Sequence, residues 1–118
     1  MKIFRFDRET GRSIDLYNSS GFTLTRVAHL LAETMIQCAY LAPGGLVGYH
    51  QTTVPQLFLV IQGEGWVRGQ APERTQIRAG QGAYWEEGEW HEAGTDTGMT
   101  AIIIEAVHFD LLGWVPIE

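Results

Sequence analysis

The chain has little cysteine, little positive charge and no long apolar run. Cys38 is its only cysteine, so no intrachain disulfide can form. That fits a reducing compartment. Cys38 lies inside the apolar stretch from Met35 to Ala42 and reads as a small core hydrophobe rather than a nucleophile. Lys and Arg number 8 against 14 Asp and Glu, a net charge of −6. A chain with no basic patch cannot neutralise phosphates, which excludes a general nucleic-acid role. It also lacks a Lys/Arg-rich amphipathic helix that could lie on a membrane. No apolar run approaches the length of a bilayer span, and Met1 to Glu9 contain no secretory-type apolar segment. The expectation is a soluble, cytoplasmic protein with no nucleic-acid and no membrane partner.

What is present points to a β protein. Hydrophobic residues make up 45% of the chain and charged residues 19%, a globular rather than a disordered balance. A length of 118 residues suits one domain, spanning 1–118, with one core. Glycine occurs 14 times and helix-period stretches are few. Short alternating or apolar segments are predicted as strands over 2–6, 12–17, 35–42, 46–52, 57–62, 66–68, 74–78, 83–85, 90–93 and 99–107, with turn signals between them. Gly63, Glu64 and Gly65 read as a hairpin turn. The stretch 22–32 fits either a strand or, from His29 to Thr34, one helical turn. The tail from His108 onward is apolar enough to dock but carries no pattern. Many short strands at close spacing suggest a sandwich or barrel. The segments 57–61 and 101–104 are apolar on both faces, so one face needs a second layer or a second subunit. A homodimer is expected on that ground.

The stretch from Gly44 to Gly63 organises the rest. Successive strand residues point to opposite faces, so His50 and Thr52 share a face. If register holds past Pro55, Gln56, Phe58 and Val60 join them in one interior. Gly44, His50, Thr52, Gln56 and Gly63 follow the spacing Gly, five residues, His, one, His, three or four, Glu, six, Gly. Gly80, Glu86, Gly88, His91 and Thr95 follow the spacing Gly, five residues, Pro, one, Gly, two, His, three, Asn. These spacings resemble the two motifs of the cupin superfamily, a small double-stranded β-helix or jelly-roll barrel, with core motifs at 44–63 and 80–95. In that family two His and a Glu from the first motif and a His from the second hold a divalent metal. Here Thr52 stands in place of the second His and Gln56 in place of the Glu.

The resemblance implies a metal set of His50, Gln56 and His91, with Thr52, Phe58, Val60 and Glu86 lining a pocket for a small-molecule ligand. Two imidazoles suit Zn, Ni, Fe, Mn or Cu; an amide oxygen is a weaker, uncharged ligand. The alternative is a hydrogen-bonded polar cluster of the same residues in a metal-free cavity. Glu92 is expected to point away from His91 by alternation. Glu86 is placed at the barrel mouth, or else is a solvated loop charge like Glu87 and Glu89. Glu105 and His108 have no assigned direction, and His29 has no identifiable partner. Trp66, Trp85, Trp90 and Trp114 are either pocket walls or core.

Three functions compete. One is a small metalloenzyme with an open coordination position. Another is a non-catalytic binding or sensory domain for a small, sugar-like metabolite. The last is a structural remnant. The missing carboxylate weighs against a two-His-one-carboxylate iron centre. The resemblance fixes no particular activity, since one fold hosts many.

Overall fold

The computed structural model describes residues 1–20, 22–25, 27–30, 33–112 and 115–116. Among them the chain forms β1 (Lys2–Arg5), β2 (Arg12–Ile14), β3 (Phe22–Leu24), β4 (Ala28–Leu30), β5 (Thr34–Leu41), β6 (Leu46–Gln51), β7 (Gln56–Arg68), β8 (Thr75–Arg78), β9 (Gln81–Trp85), β10 (Trp90–Gly94), β11 (Met99–Ala106), β12 (Phe109–Leu111) and β13 (Val115–Pro116). Every described pairing is antiparallel. The expected all-β architecture is what forms. Within the stretch 22–32, Phe22–Leu24 and Ala28–Leu30 are strands, β4 pairing with β12, while residues 31 and 32 of the alternative helical turn lie outside the described residues. The segment 12–17 is strand only as far as Ile14 and then makes a 3-10 turn over Leu16–Asn18.

Two expectations fail. Cys38 is not a core hydrophobe but lies exposed on β5, whose other face has no covering layer among the described residues. Gly63, Glu64 and Gly65 do not reverse the chain: β7 runs through them as one strand of 13 residues. Its first half pairs with β9 and β11, and its second half pairs with β8 and β10. The strand therefore passes from one sheet into the other, and the glycines make the bend. Gly63 has φ +80, and a Cβ there would collide with the backbone of Gly98. A Cβ on Gly65 would collide with the carbonyl of Gly94. Glycine within a strand marks close backbone approach as well as a turn, and here the approach is what it serves.

Alternation along β7 divides the core into two layers. Phe58 and Val60 join Val67, Ile77, Ala83, Trp85, Ala93, Met99 and Ala101 between the two sheets. Leu57 and Leu59 face the other way, onto Phe4, Tyr84, Ala106 and Phe109. The second apolar face, expected to need another layer or subunit, is thus covered by the chain's own β1 and β12. Burying each large side chain contributes roughly 1.5–3 kcal/mol, so both layers matter to stability. Apolar groups left in the open concentrate on β5, where Met35 is 55%, Ile36 65% and Tyr40 78% exposed.

Candidate functional site

β6 and β10 lie side by side with His50 directly opposite His91. Directly opposed residues in a sheet share a face, and the two imidazole rings are 4.3 Å apart at 57°. The pair expected from widely separated parts of the chain does meet. Its members differ in environment. His50 is exposed, and its Nδ1 lies 2.6 Å from the Gly48 carbonyl oxygen. A carbonyl can only accept, so Nδ1 carries the proton and Nε2 keeps a free lone pair. His91 is 2% exposed, and neither of its ring nitrogens has a hydrogen-bond partner among the described residues. Burial, reinforced by the neighbouring His50, pushes its pKa down to about 4; the Glu89 carbonyl, near the ring but outside hydrogen-bond geometry, and the Glu89 carboxylate oppose the shift. His91 is neutral at pH 7.

Trp85 completes the inner wall. It is fully buried and stacks on His91 at 4.5 Å and 30°. Phe58 meets it edge-on at 6.1 Å. The indole Nε1 has no hydrogen-bond partner among the described residues. Gln56, 5% exposed, is the first residue of β7 and stands opposite Trp85 on β9 and Glu105 on β11. A row of side chains on one face therefore runs Glu105, Gln56, Trp85, and the stacked ring of Trp85 carries it across to His91 and His50.

The other sequence-derived candidates have different roles. Phe58 and Val60 are packed core beneath the row, 2% and 0% exposed. Thr52 is buried, but its hydroxyl donates to the Val54 carbonyl, and its backbone is tied to Gly88 and Glu89. It clamps one turn to another. Glu86 is exposed at the Glu86–Glu89 turn, where its N–H donates to the Glu89 carboxylate. Glu92 points outward, as alternation required, and its carboxylate accepts from Arg68 Nε at 2.7 Å. Glu105, whose direction the sequence left open, shares the face of Gln56 and lines a hollow of about 230 Å³ with Glu33, Met35 and Val54. Trp85 was legible only as pocket wall or core. The alternation Ala83, Trp85 on the same short strand carried the signal that its ring faces inward. Trp114 lies outside the described residues, as does the side chain of His29.

Two imidazoles, one with its tautomer set by a backbone carbonyl and one unpaired, fit a divalent transition metal as nitrogen donors. Among the described residues no three His, Cys, Asp or Glu side chains are grouped closely enough to hold an ion. Of the expected donor set the two that meet are His50 and His91, while Gln56 stands opposite Trp85.

No family model and no curated protein matches the sequence. Solved structures do. A cupin superfamily protein from Desulfitobacterium hafniense aligns at 15% identity over 70% of this chain and 77% of its own, with a TM-score of 0.59. A cupin-like protein from Thermotoga maritima aligns at 19% identity over 70% and 66%, with a TM-score of 0.60. An uncharacterised protein with a double-stranded β-helix domain from Klebsiella pneumoniae aligns at 21% identity over 79% and 86%, with a TM-score of 0.59. The chain has the cupin fold, the double-stranded β-helix that its glycine spacing pointed to. The likeness is one of fold, and it assigns no specific activity. Among the described residues no helix is long and apolar enough to cross a membrane.

Proposed function

We propose that this cupin-fold domain binds a small molecule at the inner end of its barrel, with His50, His91 and Gln56 as the donor set for one divalent transition metal. Zn, Ni, Fe, Mn and Cu all suit imidazole donors. The observation that carries the reading is the buried, neutral imidazole of His91, unpaired among the described residues, beside the ring of His50, whose Nδ1 is taken by the Gly48 carbonyl. A buried polar group without a partner costs about 1–3 kcal/mol, and a bound ion or ligand removes that cost. When bound, the metal supplies Lewis-acid polarisation of a ligand oxygen or activation of water. His50 and His91 hold it, the Gly48 carbonyl fixes the His50 ring, and Trp85 limits the tilt of His91 and keeps solvent from its inner face.

The test is elemental analysis of protein purified without chelators or a His tag. One equivalent of metal, lost in a His50→Ala/His91→Ala variant, is the expected result. Metal-free protein that also fails to take up added Zn²⁺ or Ni²⁺ overturns it. A metal-free binding domain for a small, sugar-like metabolite is the second reading, favoured by the lack, among the described residues, of a third His, Cys, Asp or Glu grouped with the imidazole pair closely enough to hold an ion. In that case the same purification yields an organic ligand and no metal. We also take the protein to be cytoplasmic and to form a homodimer through the exposed apolar edge of β5, which a concentration-dependent mass near twice that of the chain would support.

A further inference from the structure

We infer that two copies of this chain join edge to edge, β5 pairing antiparallel with the partner's β5 about a two-fold axis at Cys38, so that one sheet runs through both copies. This rests on the reading of the protein as a homodimer and specifies how the copies meet. Among the described residues β5 pairs with β11 alone. From Met35 to Tyr40 its other edge therefore presents backbone N–H and C=O groups to a further strand. The other edges of the large sheet are blunted. β13 is two residues long and ends in Pro116, β8 is four residues long and ends in Arg78, and β6 carries Gly48 at a register break against β10. Short strands, charge, proline and bulges all discourage edge pairing. The eight residues of β5 include no charge, no proline and no glycine.

Charge and area favour a second copy as the occupant. Two chains of net charge −6 repel, and β5 lets them meet without opposing like charges. Glu33, the charge next to the strand, falls at opposite ends of the pairing in the two copies. Met35, Ile36 and Tyr40, with the exposed Gln37 and Cys38, offer on the order of 500 Å² on each copy, about 1,000 Å² in total, the lower bound of a specific interface. Symmetry then sets the register. A two-fold axis perpendicular to a sheet keeps each face on its own side, so the residue on the axis opposes itself. An axis at Cys38 puts Ile36 opposite the partner's Tyr40 and Met35 opposite the partner's Leu41. An axis at Gln37 puts Tyr40 opposite Thr34 and Met35 opposite Ala39. Aromatic and β-branched side chains are the better cross-strand pair, which selects Cys38. Directly opposed residues have Cα atoms about 4.5–5.5 Å apart, within the span that a disulfide bridges. Cys38 thus serves as a reporter of register, with no redox role assigned to it.

Two measurements on the full chain test this. Sedimentation velocity over a range of concentrations reads the mass, and diamide oxidation followed by non-reducing electrophoresis reads the register. The expected result is a dimer in reducing buffer that diamide converts to a covalent dimer, reversed by dithiothreitol. Cross-linking should be about tenfold faster than in Gln37→Cys/Cys38→Ser, whose thiols stand two residues out of register. Cys38→Lys sets two like charges face to face and should weaken dimerisation at least about tenfold, with the far-ultraviolet circular dichroism of the folded chain retained. Should that variant not fold, Gln37→Lys, also at an exposed position of β5, puts a charge on the same edge. A dimer that cross-links as fast through position 37, or that survives the lysine, overturns the edge pairing and leaves the homodimer standing. A chain that is monomeric at every concentration overturns both and leaves the edge to a strand of another protein.

Discussion

Tyr49 and His50 are consecutive in β6, and Trp90 and His91 are consecutive in β10, yet the two faces of this strand pair have opposite characters. Outward, Tyr49 and Trp90 stack at 5.2 Å, the Arg68 guanidinium lies 4.1 Å over the Tyr49 ring, and Arg68 is paired with Glu92 at 2.7 Å. Polar groups there have partners or solvent. Inward, one residue along each strand, His50 meets His91, and His91 is buried against Trp85 of β9, with three polar atoms of His91 and Trp85 unpaired among the described residues. The same backbone thus carries a saturated face and an unsaturated one. Saturation marks a surface whose interactions are complete within the chain. Unsaturated polarity in a dry interior marks a place where something else belongs, because natural sequences tolerate that cost chiefly at functional sites.

The contrast can be broken most severely through the two tryptophans. Trp85→Ala should cost about 3–5 kcal/mol in urea unfolding, since it empties the centre of a packed layer. Trp90→Ala should cost about 1 kcal/mol, the loss of a half-exposed stack. Similar costs would mean that the two faces are not distinct. A smaller effect comes from His91. Its depressed native pKa means that below the unfolded value of about 6.5 the unfolded chain binds a proton that the native chain does not. Metal-free protein should therefore be stable above that pH and lose roughly 1–3 kcal/mol as the pH falls toward 4. His91→Leu should abolish that loss and raise stability at pH 7 by about 1–2 kcal/mol while removing ligand binding, the usual exchange at a functional site. A stability profile unchanged by the substitution would remove the assignment of His91 as a strained, neutral imidazole. The smallest effect is expected on the outer face. Arg68→Ala, which leaves the mostly buried Glu92 carboxylate unpaired, should cost about 1 kcal/mol at neutral pH.

Much of the site could be read before folding was considered. Alternation put His50 on the inward face and Glu92 on the outward one, and glycine spacing related His50 to His91. It could not say that Glu105 falls opposite Gln56, because that follows from the register of β11 on β7. It also misjudged Gly63 to Gly65. Local chemistry makes two glycines around a charge look like a reversal, whereas the crossing backbone at Gly94 and Gly98 uses them as clearance.

The amino-acid sequence by itself determined the strand-rich class, most of the turn positions and the face on which most side chains lie, because those depend on a period of two and on glycine and proline stereochemistry. Only the tertiary structure decided that β7 serves both sheets, that β1 and β12 cover the second apolar face, and that the Trp85 N–H meets no partner among the described residues. These are outcomes of contacts between residues far apart in the chain, and the presence or absence of an acceptor within hydrogen-bond distance is settled only once the strands have paired.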